Sequence, residues 1–125
     1  MAERAGNRDG HPHLSAVERW DPSGDFQWDF AEKNQTLRGH FLADPGEKLF
    51  SGKSIGYTLK QQVPFLIRRR RASNTQFVAV YDLSGDGSGI KSVSRGGDDL
   101  SITVETPRGI FALRFDEKKA MLTPK

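Results

Sequence analysis

With 125 residues, a net charge of +3 and no cysteine, the chain has the length of one ordinary domain and can hold neither a disulfide framework nor a thiolate metal site. The charge excess is mild and does not by itself name a partner. No run approaches the ~18 apolar residues of a membrane-crossing helix, and the first twenty residues lack the apolar core of a secretory leader, so the expectation is a chain outside the membrane without an export signal, its compartment left open.

Residues 1–13 are polar and aperiodic and read as a flexible lead-in, leaving 14–125 as a single β domain. His11 and His13 stand on alternate residues, but no third ligand is near and no metal is expected there. From Asp25 to Phe30 the aromatics Phe26, Trp28 and Phe30 alternate with Gln27 and Asp29, the period of a half-buried strand, and their expected place is the core. Gln35 to Leu42 follows as a second strand whose alternation slips near Gly39, which suggests a bulge or bend. His40 in this strand is expected to face solvent or a polar partner.

Asp44-Pro45-Gly46 and Ser51-Gly52-Lys53-Ser54 read as turns around a short strand, Lys48 to Phe50. The Gly46 to Ser54 text imitates a phosphate loop. Five residues instead of four separate its glycines, and a strand-like run from Ile55 to Leu59 stands where a helix is required, so nucleotide binding is not expected.

Val63 to Leu83 reads as an apolar hairpin turning at Ala72-Ser73-Asn74-Thr75. Its second run is apolar on both faces, with Phe77, Ala79, Tyr81 and Leu83 opposite Val78 and Val80, and is expected to be an interior strand. Ser84 to Gly89 is a glycine-rich tip. Asp82, Ser84 and Asp86 copy the start of a calcium loop, but the twelfth position is Val93 where a bidentate glutamate is needed. Ile90 to Ser94, Leu100 to Glu105, Ile110 to Phe115 and Ala120 to Leu122 complete a series of short strands, the last a terminal edge. Turn signals at this spacing predict an all-β, antiparallel β-sandwich of about eight to ten strands.

Arg68, Arg69, Arg70 and Arg71 form the strongest charge feature, and strand alternation sends two to each face. As a comb of guanidinium groups they suit carboxylates or sulfates held in bidentate fashion, and they are the candidate ligand-binding residues.

The strings Leu37-Arg38-Gly39-His40-Phe41-Leu42, Asp44-Pro45-Gly46, Leu49-Phe50-Ser51-Gly52, Pro64-Phe65-Leu66-Ile67-Arg68-Arg69 and Gln76-Phe77-Val78-Ala79-Val80-Tyr81 occur in this order. Across Trp28 to Leu83 the chain thereby resembles the C-terminal β-sandwich part of heparinase II/III-type polysaccharide lyases. The resemblance implies a sheet module from proteins that cleave uronic-acid polysaccharides by β-elimination, in a cleft built partly from a helical toroid. No helical repeat precedes the sheet here. His40, Tyr57 and Tyr81 have the right chemical type for proton transfer, yet fall in no family catalytic motif, and no catalytic residue is assigned.

The resulting expectation is a non-catalytic module that binds, or supports binding of, acidic polysaccharide through Arg68 to Arg71, without cofactor or metal. Two alternatives stand beside it: an interaction module whose exposed sheet surface meets a partner chain or a second copy, and a weak nucleic-acid binder. Aromatics beside a basic run suit single-stranded nucleic acid, but Asp82, Asp86, Asp98 and Asp99 gather repelling charge nearby.

Overall fold

A computed structural model of the protein describes residues 3–4, 15–55, 62–97, 101–115 and 120–124. These residues hold no helix and form eleven strands: β1 (Glu3–Arg4), β2 (Ser15–Trp20), β3 (Phe26–Glu32), β4 (Gln35–Leu42), β5 (Lys48–Ile55), β6 (Gln62–Arg69), β7 (Val78–Asp82), β8 (Ser92–Arg95), β9 (Ser101–Thr106), β10 (Gly109–Phe115) and β11 (Ala120–Pro124). Every pairing is antiparallel, in the orders β1-β2-β5-β6, β3-β4-β7 and β11-β10-β9-β8. The all-β antiparallel class expected from the turn spacing is therefore the class of the protein. Apart from Glu3–Arg4, the expected lead-in lies outside the described residues, as does His11-Pro12-His13.

The chain divides into two compact units, Met1–Gly24 with Ala43–Gln76, and Asp25–Leu42 with Phe77–Lys125. The first holds the sheet β1-β2-β5-β6 and the second holds the other two sheets, which meet through β4 and β8 in a sandwich-like arrangement.

This division corrects the central hairpin expected at Val63 to Leu83. β6 pairs not with β7 but with β5, in unbroken register from Lys48↔Arg69 to Ile55↔Gln62. β7 instead flanks β4, from Arg38↔Asp82 to Leu42↔Val78. Between them no tight turn closes a ladder: the Arg70 guanidinium donates to Thr75 Oγ1 at 3.0 Å and to the Gln76 carbonyl, clasping the connection from a side chain. Nor is β7 interior. It is the outer member of its three-stranded sheet, and Phe77, Tyr81 and Leu83 are 49%, 47% and 84% exposed. Two apolar runs adjacent in sequence look alike whether they pair with each other or with separate neighbours, because alternation reports a strand's faces and not its edge partners.

Two further expectations change for a packing reason. The turn expected at Ser51-Gly52-Lys53-Ser54 lies within β5, and a Cβ on Gly52 would stand 2.7 Å from the Ser15 carbonyl and 2.9 Å from the Phe65 ring. Its glycine permits a close approach across strands instead of a reversal. No bulge occurs at Gly39, where the register on both sides is continuous; a Cβ there would enter the Phe41 ring and lie 3.2 Å from Tyr81. That ring stacks on Phe26 at 5.0 Å and meets Tyr81 edge-on at 5.9 Å. Phe26, Trp28 and Phe30 are half-buried, while the fully buried apolar side chains among the described residues are Phe41, Leu42, Leu49 and Ile102.

Candidate functional site

The arginine run begins on β6 and continues past its end, and the pleat sorts it in two. Arg68 and Arg70 turn to one side, where their side chains are only 10% and 4% exposed. What receives them is Glu47, a fully buried carboxylate in the turn leading into β5, whose amide donates to the Asp44 carbonyl at 3.2 Å. Arg70 Nε donates to Glu47 Oε1 at 2.7 Å, Arg68 Nε to the same oxygen at 3.2 Å, and a second Arg68 nitrogen lies 3.0 Å from it. Arg70 Nη1 also pairs with Asp44 at 3.1 Å. Two guanidinium groups around one buried carboxylate satisfy its lone pairs and neutralise it, which a buried charge requires. These two arginines bind the strand to its own turn.

Arg69 goes the other way, and both it and Arg71, past the end of the strand, are exposed. Arg69 lies over the Phe50 ring, 5.4 Å from its centroid, a cation–π placement that holds the guanidinium without neutralising it. Neither Arg69 nor Arg71 has a carboxylate within ion-pair distance among the described residues. Of the four candidate ligand-binding arginines, then, two are committed to Glu47 and two present uncompensated charge to solvent. The sequence does not mark Glu47 as the partner, since a lone glutamate in Gly46-Glu47-Lys48 reads as a solvated turn residue.

The second unit holds the residues of proton-transfer type. His40 is 4% exposed instead of facing solvent, and its Nε2 is buried without a hydrogen bond. Burial pushes its pKa below the usual imidazole value, against the opposing pull of Asp82. Tyr81 pairs with Gly39 and His40 with Val80, so the tyrosine and the histidine project from opposite faces of the sheet. No single substrate atom meets both from there. Tyr57 lies outside the described residues.

The glycine-rich tip after β7 is organised by carboxylates acting on their own backbone. Asp82, 2% exposed, accepts from the Ser84 amide at 2.9 Å and the Ile90 amide at 2.8 Å; the Ser84 side chain first, and then these amides, hold its pKa at about 2 against the opposing effect of burial. Asp86 accepts from the Ser88 amide at 2.9 Å, and its pKa is lowered chiefly by the Ser88 hydroxyl. On β4, Arg38 grips Asp29 of β3 with two bonds of 2.8 and 3.0 Å and reaches the Gly87 carbonyl at 3.2 Å, tying the tip to the sheet. Among the described residues no group of three His, Asp or Glu side chains is placed to hold a metal ion.

No family model matches the chain, and neither the curated proteins nor the solved structures contain a match.

Proposed function

We propose that this chain is a non-catalytic sheet module that binds acidic polysaccharide through Arg69 and Arg71, while Arg68 and Arg70 hold the strand that carries them. The observation that supports this reading is the sorting of the arginine run: an internal pair held by Glu47 and Asp44, and an outward pair with no carboxylate within ion-pair distance among the described residues. Planar guanidinium groups recognise the carboxylates and sulfates of such chains in bidentate fashion. The resemblance to the sheet part of heparinase II/III-type lyases points to the same ligand class. Calorimetric titration with uronic-acid oligosaccharides tests it. Binding that weakens with added salt and with Arg69→Ala or Arg71→Ala is expected, and absence of binding at low ionic strength would refute it.

A second reading, an interaction module for a partner chain or a second copy, is favoured by the apolar groups along and beside β7. Leu83 is 84% exposed, and Phe77 and Tyr81 about half exposed, a concentration of large apolar surface on one strand. Sedimentation velocity across a concentration series tests self-association: a dimer dispersed by Leu83→Lys supports this reading, and a monomer at all concentrations removes the second copy as its partner.

A further inference from the structure

Three cations that are far apart in sequence meet on one face of the first unit. On that face Lys48 stands directly opposite Arg69, Phe50 opposite Ile67 on one side and opposite Arg19 of β2 on the other. Arg19 and Lys48 share a single carboxylate oxygen, Asp21 Oδ1, at 3.5 and 3.2 Å. Asp21 has 59% of its side chain exposed. So Arg19 and Lys48 share one solvent-facing carboxylate, Asp21, with Glu3 of β1 opposite Arg19 on its other side, and Arg69 has no ion pair among the described residues.

Two details make this an unfavourable arrangement for a surface with no ligand. Like charges at directly opposed positions of a β ladder repel, and Lys48 and Arg69 occupy such a pair. In addition, Arg19 meets Asp21 Oδ1 only at 3.5 Å, through both Nε and Nη2, so the aspartate holds that guanidinium loosely. An incoming oxyanion would relieve the repulsion between Lys48 and Arg69. Phe50 lies at the centre of the three, with Arg69 already over its ring.

We infer that Arg19, Lys48 and Arg69, grouped around Phe50, form a three-strand oxyanion subsite that takes a carboxylate or sulfate of an acidic polysaccharide. The inference rests on the polysaccharide reading above and extends the site from one strand to three. Asp21 acts as its internal placeholder: it neutralises Arg19 and Lys48 when the site is empty and competes with the ligand's anion when the site fills. Removing Asp21 therefore strengthens binding, whereas removing any of the three cations weakens it.

The test is fluorescence-detected binding of two labelled hexasaccharides, one a polyuronate bearing carboxylates only and one sulfated, to the full chain and its variants, with thermal unfolding followed in parallel. Arg19→Gln, Lys48→Gln and Arg69→Gln should each weaken binding about tenfold and lower the slope of log affinity against log salt by roughly 0.7–0.9, the share of one counterion-releasing contact. Asp21→Asn should tighten binding several-fold, and Lys48→Gln should leave the unfolding temperature unchanged or raise it by relieving the opposed charges. Arg108→Gln, in the turn before β10, should change nothing. The tighter of the two hexasaccharides names the anion. If the wild-type chain binds but Arg19→Gln and Lys48→Gln bind equally well, the subsite is wrong while the Arg69 and Arg71 reading stands; if the wild type binds neither sugar, both fall.

Discussion

Removing the charge of Glu47 is predicted to destabilise the first unit strongly. Glu47→Gln keeps the side-chain shape but leaves Arg68 and Arg70, whose side chains are 10% and 4% exposed, around a neutral amide that donates where they also donate. Asp44 remains beside Arg70 at 3.1 Å and compensates part of the loss. Removing one partner of a buried ion pair costs about 3–5 kcal/mol, and the residual Asp44 contact places this case near the lower end. Set against the 5–15 kcal/mol that stabilises an ordinary domain, about 3 kcal/mol lowers the unfolding temperature by roughly 10 °C. Each unit carries one of the two tryptophans, Trp20 in the first, where its indole donates to Ser51 Oγ at 2.8 Å, and Trp28 in the second. Urea unfolding followed by Trp20 fluorescence in a Trp28→Phe background therefore reports the unit that holds Glu47. A midpoint shift equivalent to less than about 0.5 kcal/mol, the range of ordinary surface substitutions, would refute the assignment of Glu47 as the buried anchor of the arginine run.

Other perturbations follow from the same geometry. His40 is held neutral in the folded chain, its pKa below the ordinary 6.5; the unfolded chain takes up its proton first as pH falls through that value, so stability is full above about pH 6.5 and declines below it by up to ~1.4 kcal/mol per pH unit. His40→Gln should flatten the slope between pH 6.5 and 5 in urea titrations, and an unchanged slope would show that this histidine is not its source. Asp82, with a pKa of about 2 against 3.8 for a free aspartate, contributes stability present above pH 4 and lost toward pH 2; Asp82→Asn should remove that acid step and cost about 1–3 kcal/mol at pH 7 by weakening the bonds to the Ser84 and Ile90 amides. Gly39→Ala drives a methyl group into the Phe41 ring and should cost about 1–3 kcal/mol by overpacking, with loss of the near-ultraviolet circular dichroism of the stacked aromatics. Single-stranded DNA should bind only weakly and be released at moderate salt; gel-shift binding that survives physiological salt and falls on Tyr81→Ala would reassign the polyanion.

Much of the strand content was legible because its signal is local. β4 begins and ends where the Gln35 to Leu42 pattern places it, and the aromatic alternation at Phe26, Trp28 and Phe30 marks β3. β2 escaped because its ladder with β5 shifts register between Ser15 and Glu18 and Ala16 adopts φ 51°, which breaks the alternation by which a strand is recognised. Strand partners were less legible than strands. The pairing of β6 with β5, and of β7 with β4, is set by edge contacts between segments that alternation does not distinguish. For the site, the split of Arg68 to Arg71 between two faces follows from the pleat alone, whereas which pair turns inward depends on Glu47, twenty-one residues before Arg68. The convergence of Arg19, Lys48 and Arg69 likewise requires the three-strand register.

The most direct test of the account is to measure binding and stability together for Arg69→Gln and Arg70→Gln. With a uronic-acid hexasaccharide as probe, Arg69→Gln should lose affinity about tenfold at unchanged unfolding temperature, and Arg70→Gln should lower the unfolding temperature while the fraction that remains folded binds as the wild type does. The opposite pattern, affinity lost with Arg70→Gln at full stability and retained with Arg69→Gln, would contradict the division of the arginine run into an inner structural pair and an outer binding pair.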